Sequence, residues 1–477
     1  MKIYAAVIIT ISLGAMCEKH AVAEAGDAYR AMQTYRQTLV VKSRPGGRVP
    51  ANPKTARVYE GRKWALSTRW DDSNPNALNV RKKMVESGIR GTFYLNSQKP
   101  EEQASSLACK LTGKGECSVG GHSVSHPRLP GLPANDAFYQ LMANRIALEV
   151  LTDRPVNSLA FPYGAYQDKE KPEILHGITE SVLRTGYHHC VYSNFVMANK
   201  HLPAELISTG VQVAPGDRQV DAPKFWSKLE SVRKDEDRYR KISDCIFLGV
   251  HPWQKGDELT RLGEVMAKLH DWDDFWHCTQ TEYAAFVRQY RNTTITPQAA
   301  GRFTVERPAA FELGSNVPLT LEFAGTDIVA AEADGAACAV RQAGGKTFVS
   351  VPHAPRYGIP AKIDETASGA STKFPGLKAL VRFDQATGEV SCKLDNATGA
   401  PLSGLLLTVA LPPAFEPGKL RRDRDELAQA ETWAVTARAD RNRTGPYWQG
   451  GKHYVAARFD FILNGKRGRL FTTSTER

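Results

Sequence analysis

An aspartate pair, Asp71-Asp72, and two histidines four apart, His122 and His126, are the residues of this chain best suited to hold a divalent ion and act beside it. Asp72, His122 and His126 together offer three hard or borderline ligands, one short of a closed tetrahedral shell. Structural zinc sites usually fill all four positions with protein, whereas catalytic ones leave one for water or substrate. In helical geometry residues four apart share a face, so His122 and His126 are expected to reach one ion from a single turn. Pro127 disfavours helix at His126 and should end that turn there. Adjacent residues at a strand end diverge, so one carboxylate of the Asp pair can bind metal while its neighbour stays free as a base. The competing reading makes both of them turn formers ahead of Ser73-Asn-Pro. Two more segments carry chemistry: Phe161-Pro-Tyr-Gly164, a stiff turn whose backbone N–H groups can face a site, and Leu248-Gly-Val-His251, an apolar run ending in a histidine. Each alone has an ordinary explanation as a surface pair, a loop or a structural histidine. Their weight comes from all four falling at strand ends.

The elements that must position them alternate. Between residues 64 and 290, strands are predicted at 64–70, 91–95, up to 161, 190–192, 245–250 and 275–278. Helices are predicted at 76–87, 135–151, 173–184, 223–239, 258–270 and 282–290, and the 76–87 helix presents Ala77, Val80 and Met84 on one face. Strands alternating with helices imply parallel pairing through right-handed crossovers, with the ligand site at the carboxyl ends of the strands. Beyond residue 297 short runs at 319–323, 347–351, 379–383 and 405–411, separated by Gly, Pro, Asn and Asp, read as one or two antiparallel, sandwich-like modules. The basic cluster 419–424 is expected to be a solvated loop. The stretch 445–451 is expected to be a turn whose Tyr447 and Trp448 either pack beneath a hairpin or stack on sugars.

The chain has 477 residues, enough for two or three domains. An apolar run at 3–16 behind Lys2, followed by two small-residue cleavage patterns near Ala25, reads as a signal peptide over 1–25 of a secreted or periplasmic protein. The run is shorter than the roughly 20 residues that span a bilayer, and no transmembrane span is expected after cleavage. The net charge of +11 either draws the protein to anionic cell-wall polymers or membrane surfaces or simply keeps its surface soluble. The scatter of the basic residues speaks against nucleic acid as a partner. Of the eight cysteines one, Cys17, precedes the cleavage site, leaving seven. Cys109 with Cys117, and Cys338 with Cys392, are the pairs proposed for disulfides in an oxidising compartment.

Taken together the motifs resemble those of the polysaccharide deacetylases (the NodB-homology group, carbohydrate esterase family 4). Thr68-Arg-Trp-Asp-Asp72 resembles their Thr-Phe-Asp-Asp motif, and Gly121-His-Ser-Val-Ser-His-Pro127 their metal-binding motif. Phe161-Pro-Tyr-Gly164 is similar to their third motif and Leu248-Gly-Val-His251 to their Leu-x-x-His. The resemblance implies an α/β fold, a distorted (β/α) barrel of about seven strands over 58–297. An N-terminal arm at 26–57 precedes it and a β-rich accessory region at 298–477 follows. It also implies a zinc-type divalent ion and an N-acetylated polysaccharide or oligosaccharide as substrate. Asp71 takes the position of the base, and Asp72, His122 and His126 those of the metal ligands. Tyr163 matches the residue whose backbone N–H helps hold the oxyanion, and His251 the general acid. The sequence departs from the pattern at Ala160, where many members have an Arg that orients the base, and at Ser73 in place of the Gly after the Asp pair. No acidic-Trp motif stands between 165 and 245. The rival expectations are a catalytically silent glycan-binding protein on the same barrel and an esterase acting on O-acetyl sugars.

Overall fold

The computed structural model describes residues 32–98, 101–113, 115–191, 207–208, 211–212, 223–241, 243–249, 251–299, 301–359, 370–371 and 373–476. The expected signal peptide, Cys17, Tyr192 and Val250 lie outside the described residues.

Nine parallel strands form one sheet among these residues: β1 (Trp64–Asp71), β2 (Gly91–Leu95), β3 (Cys117–Gly121), β4 (Ser158–Ala160), β5 (His189–Val191), β6 (Ile207–Ser208), β7 (Val211–Gln212), β8 (Cys245–Leu248) and β9 (Phe275–His277). Seven of them run three residues or longer. The order is β6-β5-β4-β3-β2-β1-β8-β7, and β9 also pairs with β1. The crossovers include α1 (Ala77–Glu86), α2 (Glu101–Thr112), α3 (Ala134–Thr152), α4 (Pro172–Thr185), α5 (Pro223–Lys234) and α6 (Asp257–His270), and α7 (Gln280–Asn292) follows the last strand. Every residue of β1 and β2 is buried, as expected of parallel strands covered on both faces. Trp64, Leu66, Trp70, Phe93 and Leu248 join Val80, Met84, Leu148 and Val182 from the helices in one core. The apolar face expected of α1 is the buried one, Ala77, Val80 and Met84. Helix α7 starts at a capping box, with Thr279 and Glu282 each satisfying the other's backbone N–H.

The 34–43 segment of the expected arm is a strand, Thr34–Ser43, paired antiparallel with Arg302–Pro308 on one side and Ile328–Ala333 on the other. This sheet faces a second one made of Ala339–Ala343, Lys346–Val351, Leu319–Ala324 and Lys54–Thr55, around Leu39, Val305, Leu321, Phe323 and Val349. A further pair of sheets encloses Val381, Phe383, Leu394, Leu407, Phe459 and Phe461. The second sandwich is bolted to the barrel. Arg184 of α4 donates to the carbonyls of Pro412 (2.8 Å) and Phe415 (2.6 Å), and Arg469 reaches the buried Glu149 of α3 at 2.9 Å.

Several expectations need correction. Cys109 lies on α2, not beside a disulfide loop. It and Cys117, Cys245, Cys278, Cys338 and Cys392 are free thiols, and Cys338 and Cys392 belong to the cores of different sandwiches. The basic 419–424 segment lies in an edge strand, Lys419–Leu427; its charged, exposed side chains discourage pairing with another sheet. The 445–451 stretch holds a short helix, Pro446–Gln449. There the Tyr447 hydroxyl donates to Ile174 O at 3.2 Å and Arg443 covers the Trp448 ring at 4.4 Å, so both rings pack. The helix expected at 223–239 divides into α5 and Glu236–Arg240.

Candidate metal centre

Asp71 is the last residue of β1, and His122 follows β3 at once. The neighbouring β2 lies between those two strands, so the carboxyl ends of the sheet bring the two motifs together. Asp72 Oδ1 stands 3.6 Å from His122 Nε2 and 3.5 Å from His126 Nε2, and the three ligand atoms all lie within 4.8 Å of one another. A tetrahedral zinc with bonds of 2.0–2.1 Å separates its ligands by about 3.4 Å. The two Asp–His separations are close to that value and too long for hydrogen bonds, so Asp72 stands at ligand spacing from each imidazole and not in a closed polar network.

The tautomer of His122 follows from its partner. Its Nδ1 lies 2.7 Å from the carbonyl of Ala160, which can only accept, so Nδ1 carries the proton and Nε2 keeps its lone pair for an ion. Burial, opposed by Asp71, holds this imidazole below its usual pKa, in the neutral form that ligation needs. Gly121 has to be glycine, because a Cβ there would fall 2.0 Å from the Tyr187 hydroxyl oxygen and 2.7 Å from Asn144 Oδ1.

The histidines do not share a helical turn. Residues 122–126 form an irregular loop whose N–H groups are taken by side chains and by α3. Val124 N donates to Gln140 O (3.1 Å), Ser125 N to Gln140 Oε1 (3.0 Å) and His126 N to Ser123 Oγ (3.0 Å). Asn96 Nδ2 donates to His122 O at 2.6 Å, and the Asn96 backbone is tied to Ser73 Oγ at 2.9 Å. Ser73 therefore uses its hydroxyl to join the Asp turn to the end of β2. Four of the nine non-glycine residues with positive φ among the described residues, Asp72, Ser123, His126 and Tyr163, line this centre. Such conformations cost roughly 1–3 kcal/mol each and persist where surrounding structure enforces them.

The Asp pair diverges as its strand position requires. Asp72 is half-buried among the imidazoles, whereas Asp71 is 2% exposed and is not free. Arg69 Nε donates to Asp71 Oδ1 at 2.8 Å and Arg69 Nη2 faces the other oxygen. Burial alone would raise the Asp71 carboxyl, but Arg69, helped by His122 and His251, holds it below the usual carboxylate range. His251 lies across the centre, its Nε2 3.8 Å from Asp72 Oδ2, and stacks on Trp253 with ring centroids 4.2 Å apart and an interplanar angle of 6°. Asn76 pins the loop that follows, donating to Pro252 O (2.8 Å) and Gln254 O (2.7 Å). Tyr163 is 68% exposed, and its ring sets an edge against His126 with centroids 4.6 Å apart. All six residues singled out in the sequence thus meet at one place. Reading by motif missed Arg69, Asn96, Gln140 and Trp253. Of these Arg69 was recoverable, because residues two apart on a strand share a face.

The family profile for polysaccharide deacetylase matches residues 61–175. A search of curated proteins finds no match. Among solved structures, the chain is similar to the carbohydrate esterase family 4 domain of a multidomain xylanase from the hindgut metagenome of Trinervitermes trinervoides, at 13% identity over 46% of this chain and 89% of that one, TM-score 0.33. It is similar to a family 4 carbohydrate esterase from Streptomyces lividans, at 13% identity, 44% and 91% coverage, TM-score 0.29. A family 4 pseudoenzyme from Bacillus anthracis is also similar, at 18% identity, 48% and 67% coverage, TM-score 0.30.

Proposed function

We propose, from the premise that residues 61–175 belong to the polysaccharide deacetylase family, that this protein is a metal-dependent hydrolase removing N-acetyl groups from an N-acetylglucosamine-type polymer outside the cytoplasm. The observation that carries this reading is the convergence of Asp72, His122 and His126 within 4.8 Å, with a buried carboxylate on one flank and His251 on the other. These three residues would hold the ion, zinc by the chemistry of an Asp-His-His donor set. A divalent ion there supplies Lewis acidity toward the acetamide carbonyl and toward water.

The remaining work falls to the chain itself. Asp71 takes a proton from the attacking water as its oxygen bonds to the acetamide carbon, and the Tyr163 backbone N–H steadies the oxygen that becomes negative. His251 donates a proton to the sugar nitrogen as the C–N bond breaks, releasing acetate and an amine. The leader-like run at 3–16 and the positive charge support export and an anionic, cell-wall type of surroundings.

The test is acetate release from chito-oligomers, peptidoglycan and acetylated xylan, each with and without a chelator. Chelator-sensitive release from the first two is expected. Release from xylan alone would replace the amide reading with an esterase, and no release from any would leave a silent binding protein.

A further inference from the structure

Resting on that reading, we infer that Arg69 is the positioning residue for the Asp71 base, a support supplied from within the base's own strand. Arg69 and Asp71 are two apart on β1 and so point to the same side of the sheet. Both side chains are 3% exposed. A carboxylate buried that deeply is costly unless a partner satisfies it, and the planar guanidinium grips both oxygens in a fork that a single hydrogen bond cannot match. Each carboxylate oxygen has a second lone pair, so the grip fixes the direction of the base without using up its capacity to accept a proton.

The alternative source of support is absent from the sequence. Ala160 is fully buried and packs with Tyr94 and Phe247, and its methyl group has no donor to offer the base. What position 160 contributes is its carbonyl, which accepts from His122. Arg69 itself is firmly seated, because its backbone is in register with Thr92 of β2. Its carbonyl also abuts Gly249, where a Cβ would come within 2.7 Å of it. Gly249 lies two residues before His251, so the Arg69 peptide packs against the segment that delivers the proposed acid.

The experiment compares Arg69→Met, Arg69→Lys, Asp71→Asn and the double variant Arg69→Met/Asp71→Asn on whichever substrate the wild type deacetylates best, with metal content measured in each. If Arg69 acts through Asp71, Arg69→Met lowers kcat about ten- to a hundredfold with KM and bound metal near wild type. Arg69→Lys then recovers part of the loss, and removing Arg69 costs nothing further once Asp71 is Asn. An unchanged kcat in Arg69→Met, or an equal loss in both backgrounds, overturns the proposal and makes Arg69 a scaffold residue. Crystal structures of Arg69→Met and Arg69→Lys decide the point without turnover: a carboxylate swung from its present direction supports the assignment, and one that stays put refutes it. Should Arg69→Met fail to fold, Arg69→Lys, which keeps the charge and loses the fork, carries both measurements. A wild type releasing no acetate would sink the deacetylase reading alone, since the crystallographic comparison still judges Arg69.

Discussion

At the residue scale, adjacent carboxylates with opposite surroundings imply separable losses. Asp72 sits among imidazoles and Asp71 is clamped by Arg69, so Asp71→Asn should keep the ion and lose turnover by a factor of roughly a hundred or more, the usual worth of a positioned general base. Elemental analysis and acetate release on one preparation check both halves, and near-normal turnover would move the base elsewhere. His126→Ala should lose metal and activity together while the fold survives, since His126 is half-buried at the rim and the barrel's core is made of other residues. Full occupancy in that variant would remove His126 from the ligand set. His251→Ala should slow amide substrates far more than activated aryl acetates, because a phenolate departs without a proton and an amine does not. Equal losses on the two substrate classes would mark His251 as structural.

At the scale of elements, the loop at 122–126 is built by contacts from α3 and not by a helix of its own. Gln140 accepts from both Val124 N and Ser125 N, and its Nε2 donates to Ser125 Oγ at 3.1 Å. Gln140→Leu should therefore weaken metal binding about ten- to a hundredfold while leaving the melting temperature close to that of wild type. Titration with zinc followed by competition with a chelator reads this directly, and wild-type affinity would show that the loop holds its shape unaided. The same loop shows where sequence was informative. Strand-then-histidine order was legible because β3 ends in apolar and glycine residues ahead of His122, and α1 was legible because its apolar residues recur at helical spacing. The conformation of the loop was not, since a four-residue spacing fits either a helical turn or a loop in which Ser123 and His126 adopt positive φ. Helix α2 escaped notice because its run of small and polar residues around Cys109 resembles a linker. Arg69 escaped because the motif directs attention to the acids that follow it.

At the scale of the whole molecule, three histidines outside the candidate metal site, His189 buried and His277 and His353 half-buried, are held as neutral rings. Burial, with Arg288 nearby, lowers His189 to about 3; burial, with Arg307, lowers His353 to about 2; burial, with His270, lowers His277 to about 4. The unfolded chain binds protons at these positions near pH 6.5 and the folded one does not, so stability is complete above that pH and declines as pH falls toward these lowered values. Calorimetry from pH 7.5 to 5 should show a falling melting temperature, and a flat profile would contradict these environments. Arg184→Ala should destabilise by about 1–3 kcal/mol through the Phe415 carbonyl left without its donor, whereas Pro412 O keeps the Phe415 N–H at 3.1 Å. The placement of Thr34–Ser43 between Arg302–Pro308 and Ile328–Ala333 bears on the order in which the chain can fold as it is made. A strand that emerges first cannot find either neighbour until the entire barrel has followed it, so its edges stay open through most of synthesis. Such long-range pairing is slow and exposed to misassembly. A chain cut after the barrel would keep the candidate metal ligands and yet leave this first strand unpaired, a ready seed for aggregation.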